Sequence, residues 1–148
     1  MLAYDPASNP LNNNEWSFPL LEIIHIAGFT LSIGTIAVVD LRLLRLGLLR
    51  HSAQELLRAT APWTLVGLVV MLTTGPAIFS SDPAMYLRNF SFKFKMVALL
   101  VAILYNYTIH RKVALADGLS PGTAALTGAV SLALWISVVF GGLFIAFV

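Results

Sequence analysis

The chain has no cysteine and few charged residues among its 148 positions. The absence of cysteine excludes a disulfide, a thiolate metal site and covalent attachment of c-type haem. Charged residues make up only 11% of the chain and hydrophobic residues 58%, whereas soluble domains carry about 25% charge. The mean hydropathy is +0.84. This composition indicates a membrane protein, and it gives no basis for nucleic-acid binding.

Several catalytic motifs are also missing from the sequence. It contains no metalloprotease histidine pair, no serine or cysteine nucleophile arrangement and no phosphate-binding loop. We therefore do not predict an enzyme that acts by itself. Residues 1–17 are polar and contain no lysine or arginine, so they differ from the basic start and apolar core of a cleavable signal. We predict that they form an exposed tail.

Four hydrophobic segments occupy most of the remaining chain, at about 18–41, 60–79, 92–111 and 123–147. Each is close to the ~20 residues that a helix needs to cross a ~30 Å hydrocarbon core. In lipid such segments are helical, because an open strand leaves its amides unpaired. We predict one all-α domain over residues 18–148, an up-down bundle of four transmembrane helices embedded in the lipid bilayer.

The basic residues beside these segments predict the orientation of the bundle. Six of them follow the first and third segments: Arg42, Arg45, Arg50, Arg58, Arg111 and Lys112. Three lie on the opposite side: Arg88, Lys93 and Lys95. Lysine and arginine concentrate in cytoplasmic loops, so both termini are predicted to be extracytoplasmic. Leucines alternate with charged residues over residues 43–58 at helical spacing, which predicts an interfacial helix on the cytoplasmic surface.

Polar residues inside the segments predict two layers in the bundle. His25 and Asp40 are fifteen residues apart in the first segment, and Lys95 and His110 are fifteen apart in the third. These two helices run in the same direction, so His25 is expected at the depth of Lys95 and Asp40 at the depth of His110. The layers lie roughly 22 Å apart at a rise of 1.5 Å per residue. Polar groups are expensive in a membrane, so both layers are functional candidates.

The outer layer is the candidate cofactor site. Gly28 and Ser32 continue the His25 face, and Gly75 lies at similar depth, so a flat molecule has room to approach the helices. A haem iron takes the neutral imidazole of a histidine, here His25. Glu22 lies one turn earlier, where it is a candidate to orient the ring. Lys93, Lys95 and Arg88 are candidates to pair with the haem propionates. Met96 or a lysine is the candidate second ligand of the iron.

The same residues allow other interpretations. Small residues pack transmembrane helices closely, and a lone histidine often makes an interhelical hydrogen bond. Copper is an alternative cofactor, with His25 and methionine as its ligands. The inner layer is predicted to be an ion-pair and hydrogen-bond cluster that fixes the helix ends, and its members are Asp40, Arg42, Asn106, His110 and Arg111.

Three strings carry a resemblance to known families: IHIAGFTLSIGTIAVVDLRLL, APWTLVGLVVMLTTGP and FKFKMVALLVAILYNYTIHRK. Together they resemble a family of small bacterial four-helix membrane proteins of uncharacterised function, over nearly the whole chain after Phe18. More distantly, the helix 1 histidine, the glycine-terminated helix 2 and the lysine and asparagine of helix 3 resemble two further families. These are the copper-resistance D family and the haem-binding protoporphyrinogen oxidases of bacteria.

The resemblance implies a multi-pass protein of the bacterial cytoplasmic (inner) membrane, with candidate roles for His25 and Lys95. The leading prediction is a b-type haem-binding subunit in electron transfer, which holds haem b in its extracytoplasmic half with His25 as axial ligand. Its redox partner is expected to be a quinone or a periplasmic protein. One alternative is copper or small-solute transport of the copper-resistance D type. Another is a structural accessory subunit, either as a homo-oligomer or within a larger membrane complex. A haem-dependent oxidoreductase activity follows only from the distant resemblance.

Overall fold

The computed structural model describes residues 5–147, so the first four residues of the predicted tail and the final Val148 lie outside it. Over this range the secondary structure is helical, without strands. The helices are α1 (Ser17–Leu43), α2 (Ala53–Phe79), α3 (Pro83–Arg88), α4 (Phe90–Leu115) and α5 (Pro121–Leu143). All but the short α3 are long and apolar enough to cross a membrane, with α5 extended by a 3₁₀ turn to Phe147. The four-helix membrane bundle is therefore confirmed; the side on which its termini lie stays a prediction.

The helices follow one another around the bundle. α1 packs along α2 and also against α5, and α5 packs along α4. α2 meets α4 mainly near the last turns of α4, at Arg111–Leu115. The bundle is consequently closed at the end that holds Asp40, whereas at the His25 end α2 and α4 make little contact.

The predicted interfacial helix over residues 43–58 is wrong. Arg45 and Leu48 have positive φ angles of 60° and 55°, which a helix does not accommodate. α2 begins directly after Ser52, where the Ser52 hydroxyl accepts from the backbone N–H of Glu55 at 3.1 Å. The Glu55 carboxylate accepts from the backbone N–H of Ser52 at 2.9 Å. This capping box starts α2 about seven residues before the predicted position.

α1 and α2 approach each other backbone to backbone. A Cβ atom added at Gly67 would lie 2.5 Å from the Gly28 carbonyl oxygen and 2.5 Å from the Ser32 hydroxyl. One at Gly28 would lie 2.7 Å from the side chain of Val70. Gly28 and Ser32 form a small-xxx-small pair, the pattern that lets transmembrane helices pack closely. This contact fixes the relative depth of the two helices.

α4 contains a π-helical turn over Asn106–His110. Such a turn inserts an extra residue into an α-helix and occurs frequently at functional sites. Here it precedes the last turns of α4, and both Asn106 and His110 are buried. The turn thus lies beside the inner polar layer.

The described part of the N-terminal tail folds over the loop between α2 and α3. It forms two 3₁₀ turns. The side-chain amide of Asn9 donates to the Ser80 carbonyl at 2.7 Å, and that of Asn12 donates to the Ser81 carbonyl at 3.0 Å. The tail therefore covers the end of the bundle nearest His25.

Candidate functional site

The His25 ring is held by α2. Its Nδ1 lies 2.8 Å from the Thr74 hydroxyl oxygen. That hydroxyl is 2.7 Å from the Val70 carbonyl oxygen, to which it donates its only proton. With its proton on this carbonyl, Thr74 accepts from Nδ1–H of His25, and the lone pair of the ring then lies on Nε2. No side chain among residues 5–147 hydrogen-bonds this second nitrogen.

This arrangement matches what a metal-bound histidine requires. The non-ligating nitrogen of such a histidine usually donates to an oxygen that fixes the ring and its tautomer. Thr74 meets that requirement for His25, and it was not identified from the sequence. Glu22, the predicted orienting residue, lies on the exposed surface of α1.

Lys95 is the second polar group of the outer layer. It lies beside Phe29, which is one helical turn after His25 in α1. The Lys95 ammonium lies 5.7 Å from the centre of the Phe29 ring, within cation–π range. It belongs to none of the ion pairs formed within residues 5–147. Lys95 is thus a half-buried cation in a membrane-spanning helix without a carboxylate partner in the described chain.

Glycines allow α5 and α2 to approach these two side chains. A Cβ at Gly142 would lie 3.4 Å from the Lys95 ammonium, and one at Gly141 would lie 3.1 Å from the Lys95 Cα. A Cβ at Gly75 would lie 3.4 Å from Cε1 of His25. Small residues therefore surround His25 and Lys95 on both sides.

The structure separates the other predicted cofactor residues from this pair. Gly28 and Ser32 are occupied by the contact with α2, where the Ser32 hydroxyl donates to the Thr64 carbonyl at 3.1 Å. Lys93 is exposed, and Met96 is 47% exposed on the lipid-facing surface. Arg88 is exposed at the end of α3. Of the predicted set, His25, Gly75 and Lys95 lie together.

An aromatic cluster closes this end of the bundle. Phe79, Tyr86 and Phe92 bring together the end of α2, α3 and the start of α4, with ring centres 5.2–6.0 Å apart. Burial raises the pKa of Tyr86, which lies outside the membrane-spanning helices. The cluster joins α2 to α4 above the level where the two helices make little contact.

The inner layer is a compact buried pair. Nε2 of His110 lies 2.7 Å from one carboxyl oxygen of Asp40, and the Ser131 hydroxyl donates to the other at 2.8 Å. Their exposed fractions are 1% for His110 and 0% for Asp40 and Ser131. A Cβ at Gly128 would lie 2.9 Å from the Asp40 carbonyl oxygen, so this glycine lets α5 bring Ser131 to α1.

The other predicted members of the inner cluster lie outside this pair. Arg42 donates to the backbone carbonyl of His51, and Arg111 is exposed. Asn106 is buried, and both Asn106 and Arg111 line a cavity next to His110. Ser131 was not identified from the sequence, because one serine in an apolar helix gives no signal of where it points.

The protonation of the pair follows from its position in the membrane. A carboxylate with a neutral imidazole carries one negative charge, which a membrane interior strongly disfavours. One further proton makes the pair neutral, as carboxylate with imidazolium or as carboxylic acid with imidazole. Nδ1 of His110 carries a proton in both forms, because Nε2 is engaged by Asp40. In the neutral pair Nδ1 is therefore a donor, and in the anionic pair it is an acceptor.

That donor is unsatisfied. Among the buried side-chain nitrogen and oxygen atoms of residues 5–147, Nδ1 of His110 is the one that has no hydrogen-bond partner. A buried donor left unpaired costs about 1–3 kcal/mol. His110 also lines a cavity of about 220 Å³ between α1, α2 and α4. The inner layer thus combines an unpaired donor with adjacent space.

The three side chains do not form a nucleophilic triad. Such a triad needs the serine hydroxyl on the histidine, which removes its proton. Here Ser131 donates to Asp40 and not to His110. The arrangement is suited to donating or accepting a proton at Nδ1, with Asp40 stabilising the imidazolium.

These features define a four-span membrane protein with one polar layer towards each end of its bundle. No group of three or more histidine, cysteine or acidic side chains within residues 5–147 is placed to hold a metal ion. The chain belongs to the family of unknown function DUF6644, whose model matches residues 19–148. No curated protein and no solved structure matches the chain.

Proposed function

We propose that this protein is a b-type haem-binding membrane subunit in electron transfer, with His25 as an axial ligand. The observation that carries the proposal is the His25–Thr74 hydrogen bond of 2.8 Å. With Thr74 as the acceptor, the proton is on Nδ1 and the lone pair on Nε2, the state in which imidazole binds iron.

Lys95 supports the proposal independently. A lysine within a membrane-spanning helix normally pairs with an anion or a polar group, and no ion pair among residues 5–147 includes it. A haem propionate would provide the missing negative charge. The Lys95 ammonium lies 5.7 Å from the centre of the ring of Phe29, one helical turn after His25, so one bound molecule can reach both Lys95 and His25.

When bound, haem would supply reversible one-electron transfer at its iron. The chain's contribution is to fix the His25 ring through Thr74, to neutralise a propionate with Lys95 and to hold the site within lipid. Electrons would pass to or from a quinone or a periplasmic protein. The proposal places the site in the extracytoplasmic half of a bacterial inner-membrane protein.

The first test is the visible spectrum of detergent-purified protein expressed with added haem precursor. We expect a Soret band for the wild type, its loss in His25→Ala and its retention in His51→Ala. His51 is a matched control because it lies in the exposed turn before α2. A folded wild type without a Soret band would contradict the proposal, as would an unchanged spectrum in His25→Ala.

The second test asks whether Lys95 itself contacts the haem, or whether any nearby positive charge has the same effect on haem retention. Lys95→Met should weaken haem retention, whereas Lys93→Met, which removes an exposed charge two residues away, should leave it unchanged. The measurement is the fraction of haem that remains bound after dilution into detergent containing apomyoglobin. Equal losses from both variants would show that Lys95 does not contact the haem.

The alternatives remain open to the same experiments. Copper binding would give metal by elemental analysis of the purified wild type, lost in His25→Ala, with no porphyrin spectrum. A structural accessory subunit would co-purify with partner chains without either cofactor. The unpaired Lys95 favours haem, because a copper ion offers that ammonium no negative charge.

A further inference from the structure

We propose that the inner cavity binds the headgroup of a membrane-soluble quinone, with one quinone carbonyl accepting a hydrogen bond from Nδ1 of His110. Three observations carry the proposal: the unpaired buried nitrogen, the cavity that His110 lines and the Asp40 carboxyl behind the ring. None involves His25 or Lys95, so the proposal does not depend on haem.

The volume of the cavity limits the size of the ligand. Its volume is about 220 Å³, below the 300–1,000 Å³ typical of sites for drug-sized molecules. An apolar cavity of about 150 Å³ accepts benzene. The inner cavity therefore suits a single substituted six-membered ring.

The lining of the cavity selects the ligand's chemistry. Ile36, Val39 and Leu57 provide apolar walls from α1 and α2, Asn106 and Thr60 add polar groups, and the exposed Arg111 brings a positive charge to the rim. Such a mixture fits a flat apolar ring that carries a few oxygen atoms. It does not fit a cation, because Arg111 lines the cavity, and it does not fit a sugar, because many hydroxyls would lose their hydration without replacement.

The Asp40–His110 pair selects a carbonyl acceptor. In its neutral state the pair presents Nδ1–H, which a quinone carbonyl can accept. If the pair loses that proton, Nδ1 becomes an acceptor, which suits the hydroxyl of the corresponding quinol. A single nitrogen can therefore contact both forms of such a ligand, and Asp40 keeps Nε2 engaged throughout.

Access to the cavity is from the lipid-facing side. Tyr107 and Leu65 line the cavity and are 41% and 55% exposed. Nδ1 itself is covered, so a ligand reaches it after a small displacement of the wall. A quinone dissolved in the bilayer meets this surface directly.

The test uses duroquinone as the probe, with durene as its matched control. Durene has the same ring and four methyl groups but no carbonyl. Binding is measured in micelles of cofactor-free protein by quenching of tryptophan fluorescence, referenced to a micelle-soluble tryptophan ester. We expect saturable quenching that durene does not displace at equal concentration.

Two pairs of variants locate the site. His110→Gln keeps a donor to Asp40 and removes the second nitrogen, so duroquinone should bind about tenfold more weakly, as expected for one lost hydrogen bond. Ala61→Leu fills the cavity without touching the pair and should abolish saturable binding. Ala59→Leu, on the exposed side of α2, should change binding less than twofold.

Each outcome decides the proposal. No saturable binding to folded wild type would overturn it, and so would displacement by durene or unchanged binding in His110→Gln. A His110→Gln protein that fails to fold leaves the Ala61→Leu and Ala59→Leu comparison to decide. Failure here leaves the haem proposal untouched, since that depends on a Soret band and on His25.

Discussion

The contact between α1 and α2 predicts a large difference between two glycine variants. In Gly67→Ala the new methyl group would lie 2.5 Å from the Gly28 carbonyl oxygen and 2.8 Å from the Ser32 backbone nitrogen. Backbone atoms cannot rotate away, so α1 must shift. Overpacking costs about 1–3 kcal/mol, and backbone collisions belong in the upper half of that range.

The matched control is Gly34→Ala. Gly34 is exposed in the middle of α1, and a Cβ there would meet nothing within 4 Å. Both substitutions gain about 1 kcal/mol of helix propensity, which cancels in the comparison. The free energy of unfolding of Gly67→Ala should therefore be about 2–3 kcal/mol below that of Gly34→Ala.

The assay is unfolding in mixed micelles with increasing SDS, followed by circular dichroism. Because the same helix pair holds His25 against Thr74, Gly67→Ala should also lose haem affinity, whereas Gly34→Ala should keep it. Equal stability of the two variants would refute the close α1–α2 contact. It would also remove the basis for the His25–Thr74 geometry.

Three further predictions concern single side chains. Thr74→Val should lower haem affinity about 10–100-fold, as expected for loss of a ligand's orienting partner, and Thr74→Ser should retain it; haem dissociation rates measure this. Ser131→Ala should lower the free energy of unfolding by about 0.6–1.7 kcal/mol in SDS titration, and an unchanged value would argue against the bond to Asp40. Burial raises the pKa of Tyr86, so the unfolded chain loses this proton first as pH rises above about 10. The free energy of unfolding should therefore fall above this pH, and it should fall less in Tyr86→Phe than in the wild type. If the two proteins lost stability in parallel as the pH rises, the burial of this hydroxyl would be contradicted.

Much of the fold was predictable because lipid limits a spanning segment to a helix of known length. The structure has four long apolar helices, as the four hydrophobic segments predicted. The equal spacing of polar residues in α1 and α4 correctly paired Asp40 with His110. The start of α2 was also readable, since Ser52 and Glu55 form a capping-box pattern. It was missed because leucines near it suggested a surface helix.

Two parts of the candidate sites were not predictable. The contributions of Thr74 and Ser131 depend on the rotation of α2 and α5 about their axes, and helices that are apolar on all sides give no periodic signal of rotation. The π turn over Asn106–His110 changes which residues of α4 face inward, and its residue types do not predict it. Glycines were identified from the sequence, but whether they face a cofactor or another helix required the packing.

The nitrogen coordination of a bound haem tests the central claim most directly. Protein grown on ¹⁵N-labelled histidine would be purified with haem and examined in its ferric form by pulsed electron paramagnetic resonance. We predict a ¹⁵N coupling to the iron that is retained in His51→Ala and lost in His25→Ala. A protein that binds no haem, or a bound haem without a ¹⁵N coupling that depends on His25, would contradict the account.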